Sequence, residues 1–96
     1  MFVYTVLFDW ATEDSHDAEL FVYTDELLAR NKFETLVHDE KKSENSWCGA
    51  FFTPRGKFNK KYADQVDYDE TSDLFHIEMF NTPYYSTIRF TAHFVE

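Results

Sequence analysis

Two long stretches near opposite ends of this chain repeat with a period of two. Phe2, Tyr4, Val6, Phe8 and Trp10 alternate with Val3, Thr5, Leu7 and Asp9, and Ile88, Phe90, Ala92 and Phe94 alternate with Arg89, Thr91 and His93. Side chains that change face at every residue, and that are mostly β-branched or aromatic, can bury one face only as a β-strand. A shorter segment, Leu74 to Phe80, does the same with Phe75, Ile77 and Met79 against His76 and Glu78. Each strand has a face that must be covered, so the rest of the chain has to supply a second layer.

That layer is written between the first and last strands. Residues Ala11 to Asp17 read as a polar loop, and Glu19 to Tyr23 as a strand returning antiparallel to the first. Thr24 is placed as a helix N-cap, with Asp25 and Glu26 in the first turn where carboxylates complement the helix dipole. Tyr23 and Leu28 are spaced as a hydrophobic staple. Ala29, Phe33, Leu36 and Val37 form one apolar stripe, and Lys41 and Lys42 suit a helix end near Ser43 to Asn45. Further on, Trp47 to Phe52 and Phe58 to Tyr62 read as short strands around a turn at Thr53-Pro54-Arg55-Gly56, and Asp64 to Asp73 as a solvated acidic loop. The order is ββα, then ββ. The expected fold is α+β, an antiparallel sheet of about four strands with one helix packed on one face, in a single domain spanning residues 1–96. A chain this short supports one core, in which Phe8, Phe33, Leu36, Ile77, Phe90 and Phe94 are expected together.

Charge narrows the function. The chain carries a formal net charge of −9, and its first twenty-nine residues hold seven acidic side chains and no Lys or Arg. Such a surface repels phosphate backbones and attracts the basic protein surfaces that bind them, so direct nucleic-acid binding is disfavoured and a basic protein partner is expected. The contact is assigned to Asp9, Glu13, Asp14, Asp17 and Glu19 at one end of the sheet, joined by Asp67, Asp69 and Glu70, with Trp10 as an aromatic anchor. The lone Cys48 excludes an internal disulfide and fits a reducing, cytoplasmic location. Residues 1–10 lack a basic leading region, no apolar run has the length of a membrane span, and negative charge disfavours anionic lipid.

Chemical motifs are sparse. His76, Glu78 and His93 share the outer phase of two strands and are the one set resembling a metal or acid/base site, although short ligand spacings of the zinc-protease or zinc-finger kind are missing. Read plainly, they are cross-strand polar pairs. Cys48 has no adjacent base and reads as a small buried hydrophobe, while His16 and His38 read as solvent exposed. Asp64, Asp67, Asp69 and Glu70 lack the glycine and terminal Glu spacing of a calcium loop. Arg55, Lys57, Lys60 and Lys61, interleaved with Phe58 and Tyr62, fit a solvated hairpin tip that keeps an edge from aggregating. With no Ser/His/Asp pattern or Gly-rich phosphate loop, the chain reads as a non-enzyme with no metal or cofactor.

The run Tyr4-Thr5-Val6-Leu7-Phe8-Asp9-Trp10-Ala11-Thr12, followed by an acidic loop, a strand and a helix entered at Thr24-Asp25-Glu26, resembles the opening of small uncharacterised acidic proteins of bacteria and their phages. The likeness covers about the first half of the chain. In size and charge the chain also resembles phage-encoded inhibitors of host defence, such as anti-CRISPR proteins and DNA mimics, which share no common sequence signature. The resemblance implies an inhibitor that occupies a basic nucleic-acid-binding surface on a host defence protein. Two alternatives stand beside it: a small metal-dependent or ligand-binding enzyme using His76, Glu78 and His93, and a homo-oligomeric scaffold whose second copy covers an apolar sheet face.

Overall fold

The computed structural model describes every residue except Ser43 and Asn45. Its sheet has five antiparallel strands, β1 (Phe2–Ala11), β2 (His16–Tyr23), β3 (Val66–Glu70), β4 (Leu74–Met79) and β5 (Tyr85–Phe94), in the spatial order β2-β1-β5-β4-β3. The two longest alternating segments are neighbours at the centre, paired from Phe2↔Phe94 to Ala11↔Tyr85. One helix, α1 (Glu26–Glu40), lies across β1, β5 and β2.

The fifth strand corrects the reading of the acidic stretch. Val66 and Tyr68 turn toward the helix layer while Asp67 and Asp69 turn away, so β3 is a short charged edge strand rather than a solvated loop. Carboxylates are poor strand formers in general, but at a sheet edge they ward off a further strand. β2 begins at His16 rather than Glu19, because the β1–β2 connection closes tightly with Thr12 N–H donating to Ser15 O at 2.8 Å.

The helix cap is Asp25, not Thr24. Its Oδ1 accepts from the N–H of Leu27 at 2.9 Å and of Leu28 at 3.3 Å. A cap at Asp25 shifts the helix frame by one residue, which leaves Leu28 exposed and removes the expected staple with Tyr23. The helix ends at Glu40, with Lys41 as its C-cap, short of the expected end; Ser43 and Asn45 of that expectation lie outside the described residues. Trp47–Phe51 is a 3-10 helix instead of a strand, with Cys48 and Gly49 buried beneath α1. The second expected short strand reduces to one bridge between Phe52 and Phe58, followed by a 3-10 turn at Lys60–Tyr62 capped by Asn59. The intervening turn forms as expected, with Gly56 at φ 81°.

Ala29, Phe33 and Val37 from α1 meet Val6, Ile88, Phe90, Phe75 and Ile77 from the sheet, closed at the far side by Cys48, Phe51 and Phe52. Of the expected core, Phe33, Ile77 and Phe90 are buried and Phe8 and Leu36 partly so. Phe94 is 64 % exposed, because β1 and β5 run on beyond the helix and leave Phe94 packed only edge-on against Phe2 at 5.4 Å. Arg30 fastens the layers: its guanidinium lies 3.7 Å over the Phe90 ring and 3.0 Å from the Asp73 carboxylate. No helix among the described residues is long and apolar enough to cross a membrane.

Candidate cation-binding cleft

Strand phase decides which acidic residues can act together. On β1, Phe8 and Trp10 point to the helix side of the sheet, as Val6 does. Their partners on β2 are Glu19 and Asp17, whose side chains leave the strand on that same side, with Asp17 Oδ1 turned to accept from the Ala18 N–H at 2.8 Å. From the opposite side the last residue of α1 arrives, and Glu40 comes to rest over Ser86, the cross-strand partner of Trp10. Phe8, Trp10, Thr12, Glu40, Ser46 and Trp47 line a cleft of about 320 Å³. Glu40 is the one carboxylate among these lining residues; Asp17 and Glu19 lie outside the lining, on the neighbouring strand and the same face of the sheet.

Glu40 is held in place. Its Oε2 accepts from Ser46 Oγ and from the fully buried Ser86 Oγ, each at 2.8 Å. No protein donor meets its Oε1 among the described residues. The Cys48 thiol donates to the Glu40 carbonyl at 3.1 Å, with Ser46 Oγ 3.3 Å away. Burial first, and then the Glu40 carboxylate, push this thiol up to about 12 against the opposing effect of Ser46. Burial and the neighbouring carboxylate favour the neutral thiol at Cys48. The Trp47 indole N–H is buried and meets no acceptor among the described residues, while its ring packs edge-on against Tyr84 at 5.5 Å.

The nine residues assigned from sequence divide into separate groups. Trp10 belongs to the cleft, Asp17 and Glu19 stand on the same face of the sheet on the neighbouring strand, and Glu13 and Asp14 are exposed in the β1–β2 loop at the same end of the sheet. Asp9 lies on the opposite face, where it accepts from Tyr85 Oη at 2.7 Å and pairs with His16 at 3.3 Å. Asp67 and Asp69 share that opposite face but sit on β3, at the far edge of the sheet. Glu70 is committed internally, paired with Lys41 at 2.8 Å and accepting from the Tyr68 hydroxyl. Desolvation and that carboxylate raise the Tyr68 phenol above its ordinary range.

Glu40 and Trp47 were not singled out from sequence. Glu40 did carry a signal, since an acid in the last helical turn opposes the helix dipole and wants a compensating reason. Trp47 carried none, its position depending on the 3-10 helix that replaced the expected strand.

The metal or acid/base trio does not assemble. His76 bonds Thr87 at 2.8 Å and lies 3.6 Å from Glu78, whereas His93 bonds Thr5 at 3.1 Å. Thr87 and His93 are six residues apart on one extended strand, or about 20 Å. No group of three His, Cys, Asp or Glu side chains among the described residues is placed to hold a metal ion. Two further clefts beside α1 are lined by His38, Lys41 and Arg55; Lys41 is paired with Glu70, and Arg30, which lines the second, with Asp73.

Aromatic faces present negative potential, and carboxylates at the rim add full charges to it. A planar guanidinium or an ammonium on an alkyl stem satisfies both, its stem lying on the rings while its head meets Glu40. The cleft's aromatic and carboxylate lining fits such a head group. No protein-family model, curated protein or solved structure matches the chain.

Proposed function

We propose that this protein is an acidic protein-binding module, of the kind a phage or mobile element uses against host defence, that covers a basic nucleic-acid-binding surface on its partner. The observation that supports this reading most is the placement of Asp17 and Glu19 on the same sheet face as the cleft of Phe8, Trp10, Glu40 and Trp47, with Glu13 and Asp14 extending the negative field beyond it. One Arg or Lys of the partner enters the cleft, while the loop acids steer the encounter. On this reading the acidity imitates the phosphates that the basic surface ordinarily holds.

The test is a pull-down from host lysate at low and high salt, followed by association kinetics with the protein recovered. A basic partner is expected at low salt. Reversing Asp14 and Asp17 to Lys slows association and flattens its salt dependence, whereas the same reversal at Asp67 and Asp69, on the far edge, matters less. Recovery of no basic partner at either salt, or unchanged rates for both double variants, overturns the reading.

A further inference from the structure

The two edges of the sheet are built differently. β3 is five residues long and turns Asp67 and Asp69 outward, an edge defended by shortness and charge. β2 is eight residues long, contains no Pro or Lys, and carries Leu20 and Val22 on the uncovered face of the sheet, 60 % and 59 % exposed. Leu20 stands beside Leu7 on β1, so the apolar surface continues inward from the edge. The Ala18 N–H is taken by Asp17 Oδ1 at 2.8 Å and not by β1, which shows that it points away from the sheet. By strand alternation the N–H and C=O groups of Leu20 and Val22 point the same way, toward an unoccupied edge.

We propose that β2 pairs antiparallel with β2 of a second copy about a two-fold axis at Phe21, joining two five-stranded sheets into one. A two-fold at this residue sets Leu20 of one copy opposite Val22 of the other, twice, so the outward backbone groups pair and the exposed side chains cover each other. On the helix side, Glu19 of the second copy becomes the diagonal neighbour of Phe21, about 7–8 Å away. Lys32 already sits there, its Nζ 4.3 Å above the Phe21 ring. The axis repeats this Lys32–Glu19 pair, giving the seam charge complementarity that the net charge of the molecule would otherwise deny it. Leu28, one helical turn before Lys32 on the same flank of α1 and also exposed, is brought toward the seam.

Two copies of net charge −9 repel at long range, so salt strengthens this association, opposite to its effect on a basic partner. The test is sedimentation velocity of the isolated protein over a concentration series at low and high salt. The expected result is a monomer–dimer equilibrium that shifts toward dimer with both concentration and salt. Leu20→Lys and Val22→Lys, both surface changes, each raise the dissociation constant about tenfold or more while the far-ultraviolet circular dichroism stays that of the native fold. Lys32→Glu and Glu19→Lys each weaken the dimer, and the two together restore it. A wild-type monomer under every condition overturns the proposal, as does a dimer that persists in both folded lysine variants. Because the readout needs no other protein, its failure leaves the basic-partner reading untouched.

Discussion

Cys48 illustrates how one buried side chain sets a pH dependence. Its thiol is pushed from an ordinary value of 9.0 up to about 12, so between those values the folded state holds a proton that the unfolded chain releases. Stability is therefore complete below pH 9 and declines as pH rises through the window to about 12. Urea melts at stepped alkaline pH should show this fall, and Cys48→Ala should make it shallower. Tyr68 and Tyr85, both raised, leave a residual slope of the same sign. Glu40 governs a second prediction. Glu40→Ala strands the buried Ser86 hydroxyl and should cost about 1–3 kcal/mol in denaturant unfolding, whereas Glu40→Gln keeps an acceptor there, costs less, and still weakens binding of an arginine-rich peptide followed by tryptophan fluorescence.

At the scale of elements, α1 offers a direct comparison between two adjacent candidate caps. Asp25 satisfies two N–H groups at the start of the helix and Thr24 contributes no side-chain bond to them. Asp25→Ala should lower stability by about 1 kcal/mol and Thr24→Ala by clearly less, measured by chemical denaturation. An equal loss at both positions would mean that the cap is shared. The edge strands show the same principle in the sheet. β3 ends pairing with charge on its uncovered face, and β2, whose uncovered face carries Leu20 and Val22 instead of carboxylates, is where a further strand can add.

The whole molecule is elongated, with extents of 45 × 29 × 21 Å. One end of the sheet presents the β1–β2 loop with Glu13 and Asp14, and the other presents Phe2, Phe94 and Val95, all exposed. The core lies between them under α1, so the cost of losing a ring depends on position along the strands. Phe33→Ala, at 4 % exposure, should cost about 3–5 kcal/mol, the range for deleting a buried ring. Phe94→Ala should cost a small fraction of that, despite its identical sequence phase with Phe90. Thermal or urea unfolding of the two variants side by side checks the contrast.

Which residues face which way was legible along β1, β4 and β5, because period-two alternation is a local property that any face-burying strand must display. The stripe Ala29, Phe33 and Val37 declared the helix for the same reason. β3 alternates as well, but Asp67, Asp69 and Glu70 made it look like solvent-seeking loop. Only its place at the sheet edge shows why carboxylates belong there. The exposure of Phe94 could not be read locally, since strand phase says which side a ring faces and not how far the helix reaches. The same division runs through the candidate site. Trp10, Asp17 and Glu19 were assigned from charge and aromatic spacing. The joining of Trp10 with Glu40 and Trp47 in one cleft, and the parting of Asp9 and Glu70 from it, followed from strand register and from where α1 ends. Sequence alone determines the periodicity and total charge of this chain, which are sums over near neighbours. Tertiary structure decides which charges share a face, because that depends on pairings between residues far apart along the chain.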